Sequence, residues 1–176
     1  MDNLENTAKA VAGLSEELAE TIRACAVTKI LDRIGELPDE HFLHIAALAS
    51  QICETPVAAV SLIDDERTIY KALLTGSPNP DLRYCREETF CNLLTRSPDQ
   101  PVIIYDAQAD SQVCGLPFVD GTYDYLRFYS GLSLTTSEGY SVGTICVADR
   151  IPRRLRKDQE AALYRLRDLT LKLMGV

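Results

Sequence analysis

The chain of 176 residues is 46% apolar and 25% charged, with 18 basic against 26 acidic side chains, a formal charge of −8 and a pI near 4.8. One domain of ordinary size fits this length, and the composition is neither that of a disordered chain nor that of a fibrous repeat. The acidic balance repels a phosphate backbone, no run of about 18 apolar residues is long enough to span a membrane, and MDNLENTAKA has no signal-peptide character; together these predict a cytoplasmic domain with neither a nucleic-acid nor a membrane partner.

Leu14, Leu18, Ile22, Ala26, Ile30 and Ile34 recur every four residues and predict a long amphipathic helix over 15–34, with Glu16 and Glu17 at its dipole-favoured start. A second helix follows Pro38, carrying Phe42, Ile45, Leu48, Ala49 and Ile52 on one face until Thr55-Pro56 stops it. Val57 to Ile63 is apolar on both alternating faces and reads as a central strand, joined through Asp64-Asp65-Glu66-Arg67 to a second strand over 68–75. Residues 76–80 are loop, and 87–96 form a short helix with Phe90, Cys91, Leu93 and Leu94 on one face. A strand over 101–105 precedes the long loop 106–126, whose length marks it as a lid or binding loop. Strands over 128–136 and 141–149 make a hairpin, and a last helix repeats Leu163, Leu166, Leu169 and Leu173.

This order predicts an α+β fold: a central antiparallel sheet of about five to six strands, with the N- and C-terminal helices on one face and the short helix plus long loop over the other. Residues 1–36 form an N-terminal helical segment suited to dimerisation, and 37–176 the domain proper. A curved sheet of this kind leaves a hollow beneath 106–126 where a small molecule can sit.

Charge is uneven, −13 over residues 1–149 and +5 over 150–176. Arg150, Arg153, Arg154, Arg156 and Lys157 read either as a solvated approach to the last helix or as a docking strip for Glu16, Glu17 and Glu20 of the same or a partner chain. The six cysteines, at 25, 53, 85, 91, 114 and 146, include no CxxC pair and support neither a disulfide scaffold nor a zinc ribbon. His41 and His44 share a helix flank without a third ligand nearby and read as surface residues, so no metal site is expected.

Four blocks, LASQICETPVAAVSLIDDER at 48–67, ETFCNLLT at 88–95, PVIIYDAQAD at 101–110 and RFYSGLSLTTSEGYSVGTICVADRIPRRL at 127–155, resemble in order and spacing a GAF domain. The resemblance covers roughly 39–169. It implies the sensory fold found upstream of histidine kinases and diguanylate cyclases, and hence a non-enzymatic module of two-component or cyclic-di-GMP signalling that binds an unknown small molecule. It further implies a homodimer whose terminal helices pass the signal to an output protein or domain, with Leu14, Leu18, Ile22, Leu163 and Leu166 as the apolar seam. No output domain fits in 176 residues, so the chain works in trans or belongs to a larger protein.

The lining residues implied are Phe90, Cys91, Cys114, Phe118, Tyr129, Ser130, Thr144 and Cys146. Independently, Gly131 and Gly143 leave room on adjacent strands for a backbone or a ligand, and the face of Val142, Thr144 and Cys146 suits either a pocket or a core. No cofactor is expected. Bilin and haem are disfavoured, since Cys91 is followed by Asn92 where bilin-binding relatives carry His, and the NKxFDE signature of cyclic-nucleotide binders is absent. An alternative is a thiol enzyme or redox switch similar to the free methionine-(R)-sulfoxide reductases, through Cys85, Cys91 and Cys114; Cys85 is flanked by Arg83 and Arg86, which favour its thiolate. A pure dimerisation scaffold is the third reading.

Overall fold

The computed structural model describes residues 2–35, 40–76, 81–96 and 98–176, with side chains from 13 onward. In chain order the elements are α1 (Asp2–Ile34), α2 (Glu40–Cys53), β1 (Val57–Ile63), β2 (Arg67–Leu74), β3 (Arg83–Cys85), a 3-10 turn (Arg86–Glu88), α3 (Cys91–Arg96), β4 (Val102–Ile104), α4 (Pro117–Asp120), β5 (Phe128–Thr135), β6 (Ser141–Asp149) and α5 (Lys157–Met174). The six strands form one antiparallel sheet in the order β3-β2-β1-β6-β5-β4. Among the described residues no helix is long and apolar enough to cross a membrane.

The continuous apolar runs VAAVSLI and SVGTICVAD become the two central strands, fully buried because both sheet faces are covered. One face carries Val60, Leu62, Phe128, Leu132 and Ile145 against Val27 and Ile30 of α1, Phe42 and Ile45 of α2, and Leu163 of α5. The other carries Ala59, Ile63, Tyr70, Tyr129 and Cys146 against Phe90 and Leu94 beside and within α3, and Val113 and Val119 of the 106–126 segment. The α+β architecture read from the sequence is the one observed.

Local chemistry sets the joints. α2 stops where Glu54 takes a left-handed φ of 56° and the Thr55 N–H returns to the Ser50 carbonyl, just before Pro56. Asp64 closes the β1–β2 hairpin by accepting the Glu66 and Arg67 N–H groups and the Arg67 guanidinium. Lys71, fully buried, donates to the carbonyls of Gly35 at 2.8 Å and Ile34 at 3.4 Å, a cation at the negative end of the α1 dipole.

Several expectations are corrected. The helix expected over 87–96 is a 3-10 turn followed by α3 alone, and β3 is an edge strand that three residues were too few to announce. The 106–126 segment includes α4, and Asp106, Asp110 and Asp120 each accept a backbone N–H two residues ahead. Val142 leaves the face of Thr144 and Cys146 for the helix-side core, because the register shift at Leu134/Thr135 breaks the alternation there. Leu163 and Leu166 are 2% and 8% exposed, buried against the sheet rather than in any seam. The Pro38 start of the second helix, the 36/37 division and most of the 76–80 loop lie outside the described residues.

Candidate functional site

Beneath α3 the sheet presents a cluster of hydroxyls around one sulfur. Thr144 Oγ1 donates to Cys91 Sγ at 3.2 Å, Tyr129 OH stands 3.7 Å and Ser61 Oγ 3.8 Å from it, and Tyr70 OH lies at 4.0 Å. Ser61 and Thr144 are themselves 2.9 Å apart. Ser61, Thr144 and the Cys91 sulfur thus form one short hydrogen-bonded relay.

Two glycines permit this arrangement. A Cβ on Gly131 would stand 2.5 Å from the Tyr129 hydroxyl and 2.8 Å from Leu94 Cδ1, so its absence lets the Tyr129 ring lie along the strand under α3. Tyr129 then stacks on Phe90, ring centroids 4.7 Å apart. A Cβ on Gly143 would overlap the Ser61 carbonyl, so this glycine lets β1 and β6 approach at the level of the relay.

Cys146, on the same sheet face, completes the site. The neighbouring Cys146 thiol, with Thr144, Tyr129 and Ser61, holds the Cys91 thiol below its ordinary value against the opposing effect of burial. The Cys146 thiol is pushed well above its ordinary value by its neighbour Cys91 and by burial. Burial also raises Tyr70 and Tyr129, so both stay neutral. Cys53, by contrast, is pushed up to about 11 by burial with no such cage.

The hollow expected beneath 106–126 is mostly filled by the chain itself. A cavity of about 40 Å3 remains, lined by Ala59, Tyr70, Phe90, Cys91, Phe118, Leu126, Tyr129 and Cys146 among others. This is room for one to about three waters. Half-buried Thr75 and Asp124 mark its solvent end, and Arg150 spans it, donating to the Asp124 carboxylate at 2.7 and 2.8 Å and to the Thr75 carbonyl at 3.2 Å.

Of the residues singled out in the sequence, Phe90, Cys91, Phe118, Tyr129 and Cys146 line this space and Thr144 bonds to Cys91 beside it. Ser130 does not belong: strand alternation turns it to the opposite face, beside Leu132 and Leu163. Cys114 is exposed and lines no part of the cavity, and Cys85 is exposed on the edge strand. Tyr70 and Ser61 were missed, although Ser61 is the single polar residue in VAAVSLI and that interruption was a legible signal. Among the described residues no group of three His, Cys, Asp and Glu stands together as a metal ion requires, and His44 lies exposed 3.9 Å from Glu40.

α3 is connected to α1. Arg86 donates to Asn92 Oδ1 at 2.8 Å and Thr95 Oγ1 at 3.0 Å, and its other nitrogen reaches Glu20 Oε1 on α1. Glu20 also accepts from Arg23 at 2.6 and 2.8 Å, while Arg23, buried, donates to the carbonyls of Ile63 and Asp64 at the end of β1. Arg23 and Arg86 hold the Glu20 carboxyl down to about 2. An open groove of about 780 Å3 runs beside this bridge, with Cys85 on its wall. The docking strip for Glu16, Glu17 and Glu20 is not formed within the chain: Arg150, Arg153 and Arg156 pair with Asp124, Asp149 and both Glu54 and Asp158, and Arg154 lies over the Tyr105 ring.

No family model matches the chain. Over 76% of its length it is 32% identical to a cyclic di-GMP phosphodiesterase of Pseudomonas aeruginosa, of which it spans only 22%. The GAF domain of a phosphoenolpyruvate-protein phosphotransferase from Acinetobacter superposes with a TM-score of 0.61, covering 88% of this chain and 93% of that one at 12% identity. The free methionine-R-sulfoxide reductase of Neisseria meningitidis, solved with its substrate, superposes at 0.58, covering 89% and 84% at 12% identity. The chain has the GAF fold.

Proposed function

We propose that this chain is a non-enzymatic sensory and regulatory GAF module of a cyclic-di-GMP signalling protein, reading the state of the Cys91 cavity and passing it to α1. The observation that carries the reading is the bonded route from Cys91 and Asn92 of α3 through Arg86 to Glu20. On either side of Glu20 the apolar side of α1 is uncovered: Ile22, Leu18 and Leu14 are 40%, 61% and 66% exposed, spaced for a helix of a second copy. This stretch replaces the seam with Leu163 and Leu166.

The likeness to a cyclic di-GMP phosphodiesterase supports an output in that chemistry, and the chain's 22% share of that relative's length suits a regulatory segment. The likeness to a free methionine-R-sulfoxide reductase supports the thiol-enzyme alternative only at the level of fold. Free methionine sulfoxide, with ten heavy atoms, exceeds a 40 Å3 space, and Cys85 and Cys114 are surface thiols while Cys91 is buried with Cys146. The ligand that suits this cavity has two or three heavy atoms.

The test is a chimera in which this chain replaces the matching segment of the Pseudomonas aeruginosa phosphodiesterase. Glu20→Gln and Arg86→Gln are expected to shift the rate of cyclic di-GMP hydrolysis. A rate indifferent to both, in a chimera that is folded and active, contradicts the reading.

A further inference from the structure

Cys91 and Cys146 line the same nearly filled, mostly apolar space on one face of the sheet, and nothing in the packing of the fold requires two thiols there. An alanine and a valine would fill a core as well. The surrounding groups suit chemistry at sulfur: up to four hydroxyls face Cys91, and both sulfurs open on the same 40 Å3 cavity.

We propose that Cys91 and Cys146 are the oxidation site of this domain, a buried dithiol that hydrogen peroxide converts to a disulfide. This rests on the sensory reading and names what is sensed. Peroxide, with two heavy atoms and no charge, fits the cavity, while alkyl hydroperoxides and disulfides of ordinary size do not.

As the Cys91 sulfur attacks one peroxide oxygen, the O–O bond breaks and the departing hydroxide takes the Cys91 thiol proton, leaving as water. Cys91 is then a sulfenic acid, oxidised by two electrons. The Cys146 sulfur attacks the Cys91 sulfur, the S–O bond breaks, and the hydroxyl departs with the Cys146 proton as a second water. In sum, two thiols and one peroxide give one disulfide and two waters; a dithiol reductant reverses the change. Cys91 suits the first role because the relay from Ser61 and Thr144 and the Tyr129 hydroxyl stabilise its anion, and Cys146, on the wall of the same cavity, is placed for the second. Closing the bond draws the first residue of α3 toward β6, and the next residue, Asn92, holds Arg86.

The test treats the whole purified chain with stoichiometric hydrogen peroxide and maps the cysteines by peptide mass spectrometry without reduction. A Cys91–Cys146 linked peptide is expected, reversed by dithiothreitol and formed at least about tenfold more slowly with cumene hydroperoxide. In Cys146→Ser a sulfenic acid is expected to persist on Cys91 and to be trapped by dimedone, and in Thr144→Val oxidation slows by about tenfold, the effect of one pH unit on the thiolate fraction. Oxidation confined to Cys25, Cys85 or Cys114 in the wild-type chain, with Cys91 and Cys146 still reduced, overturns the proposal, and this readout depends on no variant folding. Amide exchange in α1 separates the two readings: a disulfide with unaltered α1 exchange upholds the peroxide site and contradicts transmission to α1.

Discussion

Glu20 of α1 and Arg86, sixty-six residues apart, form an ion pair that joins the edge of the α3 site to the long N-terminal helix. The carboxyl is held near 2 by Arg23 and Arg86, against an ordinary value of 4.5. A carboxylate with a depressed value in the folded state adds stability that is complete above its unfolded value and disappears as the pH falls through the folded one. Glu20→Gln is therefore expected to lower stability by about 1 kcal/mol at neutral pH, discounted because Glu20 is two-fifths exposed. Urea titrations should show the wild-type advantage shrinking between about pH 4.5 and about pH 2.

The two site glycines should differ in cost. Gly143→Ala drives a methyl into the Ser61 backbone carbonyl, which can move only if β1 and β6 part, and a loss above about 3 kcal/mol is expected. Gly131→Ala displaces the Tyr129 and Leu94 side chains instead, at about 1 to 3 kcal/mol. Chemical denaturation of both variants checks the order.

Arg150 closes the solvent end of the cavity with an exposed ion pair, a contact worth about 1 kcal/mol or less. Arg150→Ala should speed the reaction of Cys91 with hydrogen peroxide about two- to fivefold while leaving the surface thiol Cys114 unchanged. Peptide mapping over time reads both.

The stretch of α1 from Leu14 to Ile22 has the apolar spacing but no cover. Leu18→Glu is expected to turn a dimer into a monomer in native mass spectrometry while the thermal midpoint of the domain stays within a few degrees, since Leu18 already faces solvent.

Most of the fold was legible because continuous apolar runs and four-residue spacings leave few alternatives: 57–63 and 141–149 had to be central strands, and Leu163 with Leu166 had to face a core. The same spacing misled where it was read as a seam, since periodicity tells that a face is covered and not by what. At the site, Cys91, Cys146 and Ser130 were all named through position and the family resemblance; the first two line the cavity, while Ser130 does not, since it neighbours Tyr129 on a strand and neighbours on a strand point to opposite faces. The Glu20–Arg86 pair had no sequence signal; Glu20 belonged to an acidic stretch, and only the folded chain brings Arg86 to it.

The central claim is that the state of the cavity reaches α1. Amide exchange across 13–34 in Ala59→Leu, which adds bulk beside Cys91 and Cys146, measures it directly. The expected result is altered protection around Glu20 and Arg23 that disappears when Arg86→Gln is added; altered exchange limited to α3 and α4, with α1 unmoved, contradicts it.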